Sequence, residues 1–304
     1  MTEGRSFDAP IFIVNPAAGR RRGRDSSRLI EQITARFPTA AIRLTERAGQ
    51  AEALARSYAP ESVWVVAVGG DGTVSEVARG LVGGQAMMGV VPVGSGNDFA
   101  RMLGLSGQLA TALEQLASAR ASDCDVGQAM IEHDDGTTTR HQFVNSLGLG
   151  FEAVVADSAA QARVFSGFWR YLAAALRHLP FYRSPAMTLR YENTVIAEPQ
   201  FLVAIGNGRW AGGGFMLTPN AVLDDGWLEL TRAEALPLWR LLTILPRVFG
   251  GRHLECAGVH ADKVQAISID CPDGCMVHAD GEVIARMACQ IRVELLPAAL
   301  RVLR

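Results

Sequence analysis

The stretch "VVAVGGDGTVSEV", residues 65–77, decides how the first part of this chain folds. Its four leading apolar residues form a continuous run that ends at Gly69, the mark of a strand buried on both faces. Gly69, Gly70 and Gly72 allow positive φ and close approach of another group to the backbone. The helical pattern that follows opens with N–H groups that have no partner within the helix and with the positive end of its dipole, a setting that suits an anion. Asp71 nevertheless puts a negative charge in the middle of the turn. Taken alone, such a turn is as compatible with a plain strand–helix connection as with phosphate binding.

Working outward, "IFIVN" (11–15), "AIRLTER" (41–47), "SVWVVAV" (62–68) and "MMGVVPV" (87–93) read as strands. "SSRLIEQITARF" (26–37), "QAEALARSYA" (50–59), "VSEVARGLVG" (74–83) and "DFARMLGL" (98–105) read as the helices between and after them. This alternation predicts an α/β domain with a parallel sheet, whose ligands bind beyond the carboxyl ends of the strands. The loops at those ends, "NPAAG", "LTERAG", "GGDGT" and "GSGND", are polar or glycine-rich. After about residue 123 the pattern becomes antiparallel. A hairpin is expected over 125–150 with its turn at 134–136, and strands over 186–208, 226–234 and 264–284. Helical interruptions are expected near 157–179 and 236–249. The expected organisation is an α/β domain over 1–124, a mainly antiparallel β-sandwich over 125–293, and a tail, 294–304, that returns to the first domain.

The 304 residues are 49% hydrophobic and 20% charged, enough for a substantial core. A net charge of -2 supplies no basic field for nucleic acid, which is excluded as a partner. Lys263 is the only lysine, so phosphate in the first domain must be held without one. The five cysteines are odd in number, and Cys271, Cys275 and His278 lack a fourth metal ligand, so the thiols read as reduced and packed. The first ten residues have no signal-peptide pattern, and no apolar run reaches the roughly 18 residues of a spanning helix. The expected location is cytoplasmic, at most peripheral at the inner face of the membrane.

A second glycine turn raises the weight of the first. "VPVGSGNDFARMLGL" (91–105) places Ser95, Asn97 and Asp98 at the end of the next strand, with Asn97 able to cap the following helix. Two neighbouring strand ends then each carry a glycine loop and an aspartate. Two carboxylates beside a phosphate repel it unless a divalent cation intervenes, so a Mg²⁺–nucleotide and phosphoryl transfer are the economical reading.

With "GGDGTVSEV" and "GSGNDFARMLG" together, the sequence resembles the diacylglycerol kinase catalytic domain of bacterial diacylglycerol and related lipid kinases, sphingosine kinases and ceramide kinases. "VNPAAG" (14–19), Thr45, "NGRWAGGGFMLTPNAVLDDGWLEL" (207–230) and "HADGEVI" (278–284) extend the resemblance over nearly the whole chain. It implies a two-domain fold like that of NAD kinase and phosphofructokinase, and transfer of the γ-phosphoryl group of ATP to a lipid hydroxyl. Asn15, Pro16, Ala17, Ala18, Gly19, Thr45, Gly69, Gly70, Asp71, Gly72, Thr73, Val74, Ser75, Ser95 and Asn97 would then hold ATP. Asp71 and Asp98 would organise Mg²⁺, and Asp225 with the carbonyls of Val222 and Trp227 would form a structural Mg²⁺ site. Glu282 would be the general base, with Asp71 and Asp280 beside it in the catalytic set. On this reading Asp71→Asn stays folded and is inactive. A small-molecule kinase of the NAD kinase type and a non-catalytic nucleotide-binding protein stand as alternatives, because they share a GGDGT-like turn or the fold.

Two further features are read both ways. Arg20, Arg21, Arg22 and Arg24 suit either a solvated loop or contact with phosphate or an anionic membrane. "FSGFWRYLAAALRHLPFYR" (165–183), with Arg163, Arg170 and Arg177 on one face, suits a helix over the sandwich core or one lying transiently on a bilayer. The sequence names no particular lipid, and it is compatible with a homodimer.

Overall fold

Val65–Val68 are fully buried in the third of four parallel strands, and that strand anchors the first half of the molecule. The computed structural model describes residues 9–18, 26–133, 135–161 and 168–304. The chain divides into two compact units, one made of residues up to Cys124 together with Ala298–Arg304, the other of Asp125–Pro297.

In the first unit β1 (Ile11–Val14), β2 (Ala41–Leu44), β3 (Trp64–Gly69) and β4 (Met87–Pro92) lie in the order β4-β3-β1-β2, all parallel. Val14 is level with Val68 and Leu44, and Gly69 with Pro92, so the carboxyl ends of all four strands line up. Five helices follow the chain: α1 (Ser26–Arg36), α2 (Gln50–Tyr58), α3 (Asp71–Leu81), α4 (Asp98–Met102) and α5 (Leu109–Ser118). Phe12, Val66, Val68 and Val91 of the sheet pack against Leu29 and Ile33 of α1 and Leu113 and Leu116 of α5. Gly80 lets α3 lie close on α2, because a Cβ there would stand 2.5 Å from the carbonyl oxygen of Glu52.

Three details differ from the sequence expectation. Helix α3 begins at Asp71 and not at Val74, so the aspartate is part of the helix. Helix α4 stops at Met102, two residues before Gly104 at φ 70°. Helix α5 was not anticipated, although Leu109, Ala112, Leu113 and Leu116 recur at helical spacing.

The second unit is an antiparallel β-sandwich with two helical insertions. Its strands are β5 (Ala121–His133), β6 (Thr138–Phe143), β7 (Ser146–Gly150), β8 (Ala186–Tyr191), β9 (Thr194–Gly206), β10 (Leu228–Glu234), β11 (Val259–Val264), β12 (Ala266–Ala279) and β13 (Glu282–Leu303). β9 and β12 are long enough to pair with β7 at one end and with β8 at the other, which bends the structure round a common core. Leu147, Leu149, Leu189, Val203, Ile205, Ile269 and Val277 fill that core. Helices α6 (Phe151–Gln161) and α7 (Phe168–His178) form the first insertion; α8 (Leu238–Ile244) and the 3-10 turns Leu245–Gly250 and Arg252–Glu255 form the second. Glu294 still pairs with Ala266, and the N–H of Leu295 donates to the carbonyl of Gln265. The segment that returns to the first unit is therefore Ala298–Arg304, where Arg301 and Val302 run parallel to Met87 and Met88 of β4.

The bend between β6 and β7, residues 144–145, is held by a fully buried side chain. Asn207 donates from Nδ2 to the carbonyls of Val144 (2.9 Å) and Asp125 (2.8 Å), and its N–H donates to the carbonyl of Asn145. Asn207→Ala strands two buried carbonyls and is expected to cost about 2–4 kcal/mol. The thermal midpoint should fall with the secondary structure retained, and an unchanged midpoint would contradict this account.

Candidate active site

The four carboxyl ends of the parallel strands bring most of the expected nucleotide residues together. The N–H of Asn15 extends the ladder to the carbonyl of Val68, and the N–H of Thr45 donates to the carbonyl of Val14. Asn15 then turns its side chain across the loop. Its Nδ2 donates to Thr73 Oγ1 at 3.1 Å, and its Oδ1 accepts the N–H of Ala17 at 2.9 Å. The loop after β1 is thus tied to the first turn of α3. The two glycine turns touch backbone to backbone: a Cβ on Gly94 would lie 2.4 Å from the Cα of Gly70. A Cβ on Gly69 would collide with Thr73. Gly72 differs, since nothing lies within 4 Å of where its Cβ would be. Open space therefore adjoins the N-terminal turn of α3, whose first N–H groups have no carbonyl within the helix to bond. That cradle fits a phosphate held by backbone alone, as a first unit without lysine requires.

Asp71 does something other than the sequence suggests. Its Oδ1 accepts the N–H of Asp98 and its Oδ2 the N–H of Asn97, both at 2.7 Å. The carboxylate caps α4 from the first turn of α3, while Asn97 sits at φ 59° with its Nδ2 donating to the carbonyl of Gly94. Asp98 is buried, with Oδ1 3.7 Å from Arg101 Nη1. Asp71 is consequently part of the architecture of the site, and the expectation that its replacement leaves folding untouched is corrected. The described residues contain no cluster of three or more His, Cys, Asp or Glu side chains able to hold a metal. Asp71 and Asp98 fit Mg²⁺ only alongside oxygens supplied by a nucleotide. Val74 and Ser75 are buried, and the Ser75 hydroxyl accepts from Arg79 Nη1 at 2.9 Å. These two can offer a ligand their backbone and little else. Ser95 lies in the turn beside Gly94. Gly19, Arg20, Arg21, Arg22, Arg24 and Arg163 fall outside the described residues.

In the second unit the acidic turn "ADGE" is a two-residue hairpin in which Ala279 pairs with Glu282. Asp280 and Gly281 have φ of 48° and 84°, as a type I′ turn requires. The Asp280 carboxylate accepts three backbone N–H groups, those of Val144 (3.1 Å), Asn145 (2.9 Å) and Ser146 (3.0 Å). It locks the hairpin to the β6–β7 bend, which gives Asp280 a structural role. Glu282 leaves the turn as an exposed carboxylate on rigid backbone.

Beneath the turn His278, weighed in the sequence only beside Cys271 and Cys275, meets a partner that residue order does not reveal, Glu152. His278 Nε2 is 2.9 Å from Glu152 Oε1, both side chains are buried, and Nδ1 faces the N–H of Gly281 at 3.4 Å. Gly148 makes room for them, because a Cβ there would meet both at under 2.5 Å. Glu229 is a second hidden acid, held by the N–H and Nδ2 of Asn220 at 2.6 and 2.9 Å. Burial pushes its carboxyl above the usual carboxylate range, partly offset by those donors.

The segment from Val222 to Trp227 does not fit the cation expected there. Asp225 Oδ2 is 2.6 Å from the ammonium of Lys263, and Oδ1 accepts the N–H of Trp227. Gly226 donates to Asp125 and accepts from Gln265. The single lysine of the chain supplies the positive charge in this turn, so no role for a metal is assigned at Val222, Asp225 and Trp227.

Asp71→Asn sets an amide donor against one of two backbone N–H groups. It is expected to lower stability by about 1–3 kcal/mol, seen as a lower thermal midpoint. A variant as stable as the parent would return Asp71 to a purely catalytic role.

Residues 10–129 match the diacylglycerol kinase catalytic domain, and residues 145–304 match the YegS C-terminal NAD kinase beta sandwich-like domain. The chain is 33% identical over 255 residues to a diacylglycerol kinase of Mycobacterium tuberculosis, covering 83% of this chain and 80% of the other. It is 30% identical over 301 residues to a Pectobacterium atrosepticum protein named "Probable lipid kinase YegS-like", covering 95% and 94%. A crystal structure of a diacylglycerol kinase from Bacillus anthracis superposes with a TM-score of 0.74 at 22% identity, covering 98% of this chain and 97% of that one, a likeness of fold. The chain belongs to the diacylglycerol kinase family, with that family's kinase catalytic domain followed by its NAD kinase-like β-sandwich.

Proposed function

We propose that this protein uses ATP with Mg²⁺ to phosphorylate a lipid hydroxyl, that of diacylglycerol or a related lipid. The observation that carries this reading is the lysine-free glycine cradle at residues 69–73, with open space beside the first turn of α3. The relatives named as lipid kinases support the class of acceptor.

The first N–H groups of α3 would hold the phosphates, with Asn15, Thr45, Thr73, Ser95 and Asn97 around them. Asp71 keeps the second glycine turn in place for that task. Magnesium, when bound with the nucleotide, would neutralise charge on the phosphates. Glu282 would take the proton from the acceptor hydroxyl as its oxygen bonds to the γ-phosphorus and the bond to the β-phosphate oxygen breaks. Asp280 is left to hold the hairpin, since its oxygens already serve three N–H groups.

Labelled ATP with mixed micelles of candidate lipids tests the reaction, with NAD as the control acceptor. Glu282→Gln should retain nucleotide binding and thermal midpoint while kcat falls about 10²–10⁴-fold. Undiminished turnover would remove Glu282 from the chemistry, and phosphorylation of NAD with lipid ignored would overturn the assignment.

A further inference from the structure

Ten large apolar side chains are exposed among the described residues, and seven of them fall in two short segments, 169–181 and 238–249. Trp169 and Trp239 are each 65% exposed and Phe181 84%. The two segments are neighbours in the fold. The Phe168 ring meets the Phe249 ring edge-on at 5.2 Å, and both pack on Phe215 at 5.3 and 5.1 Å. On the inward side Ala174, Ala175 and Leu179 share a buried cluster with Leu241. What remains outward is an aromatic and aliphatic patch that core packing does not explain.

The charge of the patch is as uneven as its hydropathy. Residues 168–183 and 236–251 contain no Asp or Glu but hold Arg170, Arg177, Arg183, Arg240 and Arg247, in a chain whose net charge is -2. Arg240 lies 5.6 Å from the Trp239 ring. A second copy of the chain, docked by two-fold symmetry, would set arginine against arginine across such a patch. Tryptophan and phenylalanine fringed by arginine suit instead the headgroup layer of an anionic bilayer, which takes the rings and attracts the cations. No helix among the described residues is long and apolar enough to cross a membrane.

We propose that the outer face of α7, α8 and the 3-10 turn after α8 docks the protein on an anionic lipid surface. Trp169, Phe181 and Trp239 enter the headgroup region, and Arg177, Arg183 and Arg247 meet anionic headgroups. The purpose of this docking, to reach a substrate that resides in a bilayer, rests on the lipid-kinase reading; the patch itself does not.

Co-sedimentation with phosphatidylglycerol/phosphatidylcholine vesicles tests it, with pure phosphatidylcholine vesicles and raised salt as controls. The parent protein should bind the anionic vesicles and be released by salt. The triple variant W169Q/F181S/W239Q and, separately, R177Q/R183Q/R247Q should each bind at least tenfold more weakly. Both variants should keep the parent's thermal midpoint and its activity on a short-chain, water-soluble diacylglycerol. Failure of the parent to bind, or undiminished binding by both variants, overturns the proposal. So does a parent dimer that the apolar variant converts to a monomer while vesicle binding is unchanged. Vesicle binding through this face without phosphorylation of any lipid would leave the docking surface standing and remove the lipid-kinase reading instead.

Discussion

A carboxylate that accepts backbone N–H groups from a neighbouring loop is the interaction on which both units depend. Asp71 does this for Asn97 and Asp98, and Asp280 does it for Val144, Asn145 and Ser146. Bonds of this kind are charge-assisted, short and directional, and they fix loops that have no ladder of their own. Removing either carboxylate would leave donors in sparsely solvated bends without acceptors. The strand ends of the first unit and the hairpin of the second keep their shape by the same device.

The consequence is a separation of roles among acids that look alike in sequence. The aspartates of "GGDGT" and "ADGE" each hold a neighbouring bend, through the N–H groups of residues 97–98 and 144–146. Glu282, the next acid after Asp280, is exposed and rigidly carried. The buried His278–Glu152 pair lies directly beneath that hairpin, so its backbone is supported from below as well as from the side. Preorganisation of this sort is what a reacting carboxylate needs, because misplacement of even an ångström is costly to catalysis.

Charge is placed as economically as backbone. The one lysine neutralises Asp225 in a turn of the sandwich and is not in the first unit at all. The glycine turns and helix start there offer backbone N–H groups, which suit an anion without any mobile side chain. Arg170, Arg177, Arg183, Arg240 and Arg247, by contrast, lie in the two segments of the second unit that carry most of its exposed large apolar side chains.

The α/β and sandwich classes, the four glycine or polar loops at the strand ends, and the family itself were legible in residue order. Apolar periods of strand and helix and the special backbone of glycine are local properties. Helix α5 was not anticipated, although the spacing of Leu109, Ala112, Leu113 and Leu116 is a local signal. The roles of Asp71, Asp280 and Asp225 were not legible. Each depends on a partner far along the chain: Asn97 and Asp98 for the first, residues 144–146 for the second, Lys263 for the third. The same holds for Glu152 and His278, which are 126 positions apart in sequence and 2.9 Å apart in space. Sequence by itself determined which backbone turns exist and what they can approach. Only the tertiary structure decided which carboxylates are consumed in holding those turns, because a hydrogen-bond partner is chosen by distance in space and not by spacing along the chain.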